Sequence, residues 1–262
     1  MRVLLTGASG FLGGRVIPLL LDRGISTTAL DLVPPGESNC HFLRCDLTDR
    51  EDLSAALEGK TFDSVIHLAG TRGSIQRMTS LNVQGTSLLI ETLAGRCRSL
   101  VLASSCSVYG IPASRSGLVA EADKTCPVTD YGLSVLEKER TAESICRRWG
   151  IMLSTARLFN LFGPGQGPEM MVPAVAEGLL KILSGKASPP LRTGPLSTKR
   201  DLIDVEDAAS ALVRMAVAEV PGTFNVGTGV PRSGREVVDA LQEEMGTSFA
   251  VEEGPRGKRT SL

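Results

Sequence analysis

The sequence has little of what a metal site or a disulfide framework requires. Its 262 residues include only two histidines, His41 and His67, and none of its six cysteines forms a Cys-x-x-Cys pair. Structural zinc sites are built from Cys and His ligands at short spacings, so we predict no metal. Scattered thiols without a disulfide pattern favour a reducing compartment, and we therefore expect a cytoplasmic protein.

An excess of charge of either sign is also lacking. Lys and Arg number 28 against 29 Asp and Glu, which gives a formal net charge of -1 and a pI of about 6.2. This balance predicts no nucleic-acid partner. Long apolar runs are missing too: the first is interrupted at 6–10, and Val16–Leu21 is too short to span a bilayer. With no membrane partner expected either, a small-molecule site must be sought in local motifs.

Hydrophobic residues make up 42% of the chain and charged residues 22%, as in an ordinary globular protein. Apolar strands alternate with segments of helical spacing. The predicted strands are 3–6, 25–30, 41–45, 64–68, 100–103 and 151–159, and the predicted helices include 16–21, 49–57, 81–97 and 131–149. Helices between successive strands imply parallel pairing through right-handed crossovers. The sequence thus predicts an α/β fold with a doubly wound parallel sheet.

A glycine-rich turn, Gly7-x-x-Gly10-x-x-Gly13, lies between the first strand and the first helix. Glycines there let the backbone approach a pyrophosphate, and the helix N-terminus offers unpaired N–H groups. A tight turn without a ligand is the alternative for the triplet alone. Asp31, however, ends the second strand at the spacing of an acid that binds an adenosine ribose. The pattern predicts a dinucleotide, and an acid at 31 favours NAD over NADP because a 2′-phosphate would be repelled.

The segment from Thr6 to Gly13, TGASGFLG, resembles the opening of the extended short-chain dehydrogenase/reductases, the NAD-dependent epimerase/dehydratase family. Further motifs similar to that family follow in order at 46–47, 67–70, 82–86, 104–110, 157–165, 200–207 and 224–229. The resemblance implies a Rossmann-type sheet with a small C-terminal substrate lobe. It places an NAD-binding domain at 1–160, to which 199–229 return, and a short substrate lobe at 161–198 and 230–262.

The resemblance also implies which residues form the site. The residues expected to bind NAD are Gly7, Gly10, Phe11, Leu12, Gly13, Asp31, Asp46, Leu47, Leu68, Ala69, Gly70 and Tyr131. Those expected to contact the substrate, which would be a nucleotide sugar, are Cys106, Ser107, Asn160 and Arg200. A salt bridge with Asp201 or Asp204 is an equal alternative for Arg200, and a packed thiol is the favoured interpretation of Cys106. The segment 254–259 resembles the start of the family's C-terminal phosphate-contacting region.

The family's catalytic set is a Ser or Thr, a Tyr and a Lys, the last two spaced Tyr-x-x-x-Lys. Ser105 and Tyr131 match the first two, but Val135 stands where the lysine is expected. Lys124 and Lys138 lie seven residues to either side of the tyrosine, and we expect neither to share its helix face. A phenol ionises near pH ~10, and a close cation lowers such a pKa by about 1–3 units. Val135 therefore predicts weaker proton abstraction.

Three functions remain open. The sugar-nucleotide dehydratases of this family carry an acidic pair where this chain has Cys106 and Ser107, so we expect an NAD-dependent epimerase or ketoreductase acting on a nucleotide sugar or related polyhydroxylated metabolite. An NAD-binding pseudoenzyme, sensor or scaffold is the first alternative, favoured by Val135 and the short C-terminus. A non-redox lyase or isomerase using Ser105 and Tyr131 is the second. In this family two helices, here 81–97 and 131–149, commonly form a four-helix interface, so we expect a homodimer.

Overall fold

A computed structural model of the chain describes residues 1–36, 39–111 and 118–255. Its strands are β1 (Arg2–Thr6), β2 (Ser26–Asp31), β3 (His41–Arg44), β4 (Phe62–His67), β5 (Cys97–Ser105), β6 (Met152–Leu158), β7 (Asn160–Phe162), β8 (Leu191–Thr193), β9 (Lys199–Asp204), β10 (Gly222–Val226), β11 (Pro231–Ser233) and β12 (Val251–Glu253). Its α-helices are α1 (Gly13–Leu21), α2 (Arg50–Ala56), α3 (Ile75–Met78), α4 (Thr86–Thr92), α5 (Asp130–Trp149), α6 (Met171–Leu183), α7 (Val205–Ala218) and α8 (Gly234–Glu244).

Seven strands form one sheet in the order β10-β6-β5-β4-β1-β2-β3, and every pairing in it is parallel. The order reverses between β1 and β4, since the chain first winds outward to β3 and then returns to the other side of β1. Ligands of such sheets bind beyond the carboxyl ends of the strands at this reversal. The predicted doubly wound, Rossmann-type sheet is confirmed.

Both faces of this sheet are buried, because alternate residues of each strand point to opposite sides. Val3 and Leu5 of β1 pack in a core that includes Leu212 of α7. Leu4, between them, packs instead in a second core that includes Leu89 of α4. Parallel strands covered on both sides in this way hold their carboxyl ends in fixed positions, which is what a binding site at that edge requires.

The chain divides into two compact units. The first comprises Met1–Leu161 with Ile203–Gly227, and the second comprises Phe162–Leu202 with Thr228–Leu262. The second unit has an apolar core of its own, formed by residues that include Leu179 of α6, Leu191 of β8 and Val238 of α8. Within it β8 pairs in parallel with β12, and β9 pairs antiparallel with β11.

The helix predicted at 81–97 differs from what the structure shows. Two helical segments occupy this region: a wider π-helical stretch at Thr79–Gly85, which continues from α3, and α4, which ends at Thr92. Gly95, with a φ of 70°, turns the chain, and β5 begins two residues later at Cys97. Leucine spacing alone indicated one continuous helix, because it marks only which residues are buried and not where the backbone widens or turns.

Candidate functional site

The glycine turn after β1 is packed too tightly for a side chain at Gly7 or Gly13. A Cβ atom on Gly7, whose φ is 68°, would lie 2.7 Å from the backbone nitrogen of Ala69. A Cβ atom on Gly13 would lie 2.3 Å from the carbonyl oxygen of Gly7. These clashes would be with backbone, so neither glycine can be replaced without moving the turn. The turn therefore presents bare backbone at the start of α1, as a pyrophosphate site requires.

Asp31, at the end of β2, is tied to this turn. Its carboxylate accepts hydrogen bonds from the backbone N–H groups of Ser9, at 3.0 Å, and Leu32, at 2.7 Å. A carboxylate accepts about four hydrogen bonds, so capacity remains for the two hydroxyls of a ribose. The tight glycine turn and the anchored acid fit a dinucleotide, which in this fold lies across the strand reversal.

The pair Asp46-Leu47 also lies in the first unit. The carboxylate of Asp46 accepts hydrogen bonds from the backbone N–H and the hydroxyl of Thr48, at 2.8 and 2.7 Å, and so closes its own turn. Leu47 is buried in the core. Phe11 and Leu12 follow Gly10 in the turn and are half-buried. A contact of these four residues with the cofactor stays a prediction.

His67, the last residue of β4, lies between two threonines. Its Nδ1 and Nε2 atoms are 2.6 Å and 2.8 Å from the hydroxyl oxygens of Thr6 and Thr86. Burial and the charge of Lys138 hold the pKa of the imidazole well below its usual range. A neutral ring that bonds two hydroxyls joins β1, β4 and α4, so His67 has a packing role.

Lys138, on α5, is buried below the carboxyl end of the sheet, with only 3% of its surface exposed. Its ammonium donates to the carbonyl oxygens of Ala69, at 2.9 Å, and Ala103, at 3.2 Å. Burial lowers the pKa of this lysine to about 7. We expected Lys138 to lie off the helix face of Tyr131, because residues three or four apart share a face. Seven residues make nearly two helical turns, however, so Lys138 lies on the same face as Tyr131.

Asn82, in the π-helical stretch, joins two parts of the site and is 1% exposed. Its Oδ1 atom accepts from the N–H of Thr71 at 2.8 Å, and its Nδ2 atom donates to the carbonyl of Thr71 at 3.1 Å. The same Nδ2 donates to the hydroxyl of Ser134 at 3.1 Å, and that hydroxyl donates to the carbonyl of Tyr131 at 2.9 Å. Asn82 thus fixes the segment after β4 relative to the first turn of α5.

Ser105 ends β5 and begins a short 3₁₀ turn. Its hydroxyl oxygen accepts from the N–H of Ser107 at 3.2 Å and lies 3.1 Å from the Ser107 hydroxyl. The first turn of α5 packs on this segment so closely that a Cβ atom on Gly132 would lie 2.6 Å from the carbonyl oxygen of Ser107. Gly132 directly follows Tyr131, so the structure brings the segments of Ser105 and Tyr131 together.

Val135 and Tyr131 belong to one apolar cluster in which Cys106 also packs. Val135 is 4% exposed, so its side chain fills space and carries no charge to the site. In the described part of the chain, the cation in contact with Tyr131 is Arg72, whose guanidinium carbon lies 4.5 Å from the centre of the phenol ring. Sequence reasoning missed Arg72 because no motif of the family marks its position.

Arg157, near the end of β6, is a buried structural cation. Its guanidinium makes two hydrogen bonds to Glu139 of α5, at 3.0 and 2.9 Å, and donates to the hydroxyl of Tyr109 at 3.0 Å. Tyr109 in turn donates to the side chain of Asn225 on β10 at 2.7 Å. This network fixes α5 against β6, one helical turn from the residues of the site.

The two predicted substrate residues outside this cluster lie further along the chain. Asn160 begins β7 in the first unit, and Arg200 lies on β9 in the second. Asp201 accepts hydrogen bonds from the backbone of Thr228 and Gly229, at 2.9 and 2.7 Å, and Asp204 caps α7. The roles of Asn160 and Arg200 stay predictions. The predicted phosphate-contacting segment lies outside the described residues from position 256 onward.

Two further properties concern the described residues only. Within 1–36, 39–111 and 118–255, no group of three or more His, Cys, Asp or Glu side chains is arranged to hold a metal ion. In the same part of the chain, no helix combines the length and the apolar character needed to cross a bilayer.

Comparison with known proteins places these features in a family. The model of the NAD dependent epimerase/dehydratase family matches residues 3–227. GDP-6-deoxy-D-mannose reductase of Pseudomonas aeruginosa is 29% identical over 98% of this chain and 84% of its own length. dTDP-6-deoxy-L-talose 4-dehydrogenase (NAD(P)(+)) of Kitasatospora kifunensis is 30% identical over 97% of this chain and 82% of its own.

Among solved structures, the UDP-glucose 4-epimerase of Thermus thermophilus in complex with NAD superposes with a TM-score of 0.83 and 28% identity. The match covers 100% of this chain and 88% of that one. The resemblance inferred from the motifs is therefore confirmed, and so is NAD as the cofactor of the family. From the seven-stranded parallel sheet to the glycine turn at its reversal, the protein belongs to the NAD-dependent epimerase/dehydratase family of extended short-chain dehydrogenase/reductases.

Proposed function

We propose that the protein is an NAD-dependent epimerase or ketoreductase that acts on a nucleotide sugar or a related polyhydroxylated metabolite. The observation that carries this proposal is the packing of Gly132 against Ser107, which sets the segments of Tyr131 and Ser105 side by side at the end of β5. β5 lies next to β4, whose end contacts the glycine turn through Ala69. A hydroxyl, a phenol and a dinucleotide site thus adjoin along one sheet edge.

NAD, when bound, supplies the acceptor and donor of the hydride. The N-terminus of α1 and the turn of Gly7, Gly10 and Gly13 would hold its pyrophosphate, and Asp31 its adenosine ribose. Phe11, Leu12, Asp46 and Leu47 are assigned to the same half of the cofactor on resemblance. Leu68, Ala69 and Gly70 would lie under the other half, where the tight contact of Gly7 with Ala69 brings their backbone to the glycine turn.

The chain's own residues would handle the proton. Ser105 would donate a hydrogen bond to the oxygen of the reacting carbinol or carbonyl, and Tyr131, starting as the phenolate, would take the hydroxyl proton of the carbinol while bound NAD⁺ would accept the hydride. The products are a ketone, NADH and a protonated tyrosine, so charge and atoms balance. Return of the hydride and a proton to the opposite face of the rotated ketone would give an epimer, and the enzyme would be an epimerase. Transfer of the hydride and a proton to a different ketone would make the enzyme a ketoreductase.

The relatives named above are a reductase, a dehydrogenase and an epimerase of GDP-, dTDP- and UDP-linked sugars. A nucleotide sugar is accordingly the substrate class we propose. Cys106 and Ser107 directly follow Ser105 and would contact its sugar, together with Asn160. Arg200 would meet its diphosphate. Cys106 packs with Tyr131 in the apolar cluster, and a thiol there provides no acid for elimination of water.

We further propose a cytoplasmic homodimer. An outward-facing surface cavity of about 500 Å³ is lined by Val83, Gln84, Ser87, Leu88 and Thr141. These residues belong to the π-helical stretch, α4 and α5, which correspond to the two helices predicted to pair. A surface of modest polarity on two neighbouring helices suits a four-helix interface with a second copy.

One observation favours a second candidate, an NAD-binding module without turnover. Val135 is buried in an apolar cluster with Tyr131, so the position of the family's lysine is filled by packing. A lyase or isomerase that uses Ser105 and Tyr131 without hydride transfer is the third. Dependence on NAD separates the three candidates: the first needs NAD to change a sugar, the second binds NAD but changes no sugar, and the third changes a sugar without NAD.

The test combines binding with turnover. Calorimetry with NAD is followed by incubation with GDP-, dTDP- and UDP-sugars, with NADH absorbance and sugar configuration as readouts. We expect NAD binding and turnover of at least one sugar. Turnover should be lost in Ser105→Ala and Tyr131→Phe but retained in Ser54→Ala, at an exposed serine of α2. NAD binding without turnover of any sugar would favour the module, and a product formed without NAD would favour the lyase or isomerase.

A further inference from the structure

We propose that Arg72 supplies, from the segment after β4, the positive charge beside Tyr131 that the family's lysine supplies from position 135. The inference rests on the proposed function, since it assigns Tyr131 the proton-transfer role. Arg72 acts through Tyr131 and is therefore an electrostatic positioning residue. Its chemistry is that of a cation on a phenol ring, whose attraction grows when the ring oxygen loses its proton.

The contact itself is the first observation. The guanidinium carbon of Arg72 lies 4.5 Å from the centre of the Tyr131 ring, within the range of a cation–π pair. Tyr131 is one of only two tyrosines in the chain, the other being Tyr109. Arg157 lies at 4.8 Å over the Tyr109 ring, but Arg157 is neutralised by Glu139. Arg72 makes no ion pair with any residue that the structure describes, so its charge is not cancelled at Tyr131.

The second observation is that Arg72 is held there by a buried amide. Asn82 makes two hydrogen bonds to the backbone of Thr71, the residue before Arg72, and a third to Ser134, three residues after Tyr131. The hydroxyl of Ser134 in turn donates a hydrogen bond to the carbonyl oxygen of Tyr131 at 2.9 Å. One side chain thus sets both the backbone that carries the cation and the helical turn that carries the phenol.

The third observation concerns the helix that carries Asn82. Residues 79–85 form π-helical turns, which are rare and frequently occur at functional sites. The widened turns leave Asn82 buried while its amide bonds two other segments. A regular helix needs no such amide for its own stability. The irregular backbone is thus explained by the position it gives to Asn82.

The other charged and titratable groups around Tyr131 do not replace Arg72. Asp130 precedes it on α5 and is negative, which opposes formation of a phenolate. Lys138 lies on the same helix face, but its ammonium is engaged by the carbonyls of Ala69 and Ala103. From the turn after β5, Cys106 and Tyr109 face the same cluster, and neither carries a positive charge. Among the residues that the structure describes, Arg72 is the cation that contacts the ring.

The experiment compares Arg72→Gln, Arg72→Lys and the wild type, with Arg147→Gln as the control of equal charge. Arg147 is exposed and lies 16 residues after Tyr131 on α5, about 24 Å from it along the helix. The first readout needs neither cofactor nor substrate: phenolate absorbance is followed against pH, and Tyr131→Phe identifies which part of the change belongs to Tyr131. The second readout is the pH–rate profile on an active nucleotide sugar.

For Arg72→Gln we expect the part of the absorbance change that belongs to Tyr131 to move to higher pH. The amount of phenolate at a given pH should fall two- to five-fold, which corresponds to the energy of an exposed cation–π pair. The pH–rate profile should move in the same direction. Arg72→Lys should restore most of both, and Arg147→Gln should change neither. Since Arg72 is exposed, 1 M salt should weaken the effect in the wild type.

The outcomes separate this inference from the proposed function. A shifted phenolate in Arg72→Gln supports the inference even where no sugar is turned over, in which case only the proposed function fails. Turnover in all variants with an unmoved phenolate and an unmoved pH–rate profile would overturn the inference and leave the function intact. Val135→Lys in the Arg72→Gln background provides the complementary test, since a lysine there should restore the profile. If that double variant does not fold, the rescue by Arg72→Lys provides the test instead.

Discussion

The ammonium group of Lys138 lies between the ends of two adjacent strands, donating to Ala69 after β4 at 2.9 Å and to Ala103 of β5 at 3.2 Å. Ala69 touches the glycine turn, and Ala103 lies two residues before Ser105. One buried cation therefore connects the proposed cofactor segment with the proposed catalytic serine, and it does so from the helix that carries Tyr131.

Lys138 should make stability depend on pH. Burial lowers its pKa from 10.5 to about 7, so between those values the unfolded state binds more protons than the folded state, and the free energy of unfolding rises with pH. The contribution of Lys138 to this slope approaches a limit of about 1.4 kcal/mol per pH unit and is obtained as the difference between the wild type and Lys138→Met. Denaturant unfolding from pH 7 to 8.5 measures it. Lys138→Met should flatten the curve, and Lys124→Met, at an exposed lysine, should not.

The measurement ends at pH 8.5 for a physical reason. Burial raises the pKa of Cys45 and Cys146 to about 12 and that of Cys97 to about 11, whereas these thiols ionise near pH ~8.5 when the chain is unfolded. Above that pH the unfolded state loses protons first, so stability falls and masks the lysine. An identical slope in Lys138→Met and wild type below pH 8.5 would contradict the role of Lys138.

Gly13→Ala should abolish NAD binding and destabilise the protein, since the new methyl group would lie 2.3 Å from the Gly7 carbonyl and 2.6 Å from that of Ala8. Overpacking of this kind costs about 1–3 kcal/mol. Gly14→Ala is the matched control, because nothing lies within 4 Å of its Cβ position. In a helix that change should stabilise by about 0.5–1 kcal/mol. Calorimetry measures NAD binding and thermal melting measures stability in both variants. If Gly13→Ala still bound NAD, the turn would not be part of the cofactor site.

Asp31 should decide between the two nicotinamide cofactors. Asp31→Asn removes the charge and leaves one acceptor oxygen for the N–H groups of Ser9 and Leu32, so NAD affinity should fall at least about 10- to 100-fold, the worth of a charge-assisted pair. NADP affinity should rise, because its 2′-phosphate is no longer repelled. Titration calorimetry with both cofactors provides the comparison. Equal or tighter NADP binding by the wild type would contradict the assignment of Asp31.

The surface along α4 and α5 should hold a second copy of the chain. Light scattering at micromolar concentration is expected to report a dimer, and Leu88→Lys should dissociate it, because a charge would enter an apolar interface. Ile75→Lys, at an exposed apolar residue of α3 outside that surface, is the control. A monomeric wild type would refute the proposed homodimer.

Much of this architecture could be read from the sequence. Gly7, Gly13 and Asp31 follow from the local chemistry of a turn and a strand end, which needs no knowledge of distant contacts. Arg72 does not, because its place over Tyr131 depends on Asn82, which lies in a π-helical stretch that apolar spacing does not reveal. Lys138 was misjudged for a different reason: the rule of three or four residues describes one turn, and a long side chain on the second turn still reaches the strand ends.

Val135→Lys tests whether the missing lysine limits the enzyme. The new ammonium would lie one helical turn from Tyr131 on the same face, so NAD binding should strengthen, the rate of hydride transfer should rise and the pH optimum should move toward neutrality. A recovered shift of about 1–3 pKa units corresponds to roughly 1.4–4 kcal/mol in favour of a phenolate. Val135→Met, of similar length and without charge, is the control.

The burial of Val135 sets a condition on that result. Because the residue is 4% exposed among apolar side chains, the lysine variant should melt at a lower temperature than the methionine variant, and rates are compared below both melting points. Unchanged NAD affinity without turnover in either variant would show that the lysine is not the limiting defect and would favour the binding module. An active wild type with a slower lysine variant would instead mean that Val135 belongs to an altered mechanism, in which Arg72 already provides the charge that a lysine at 135 would duplicate.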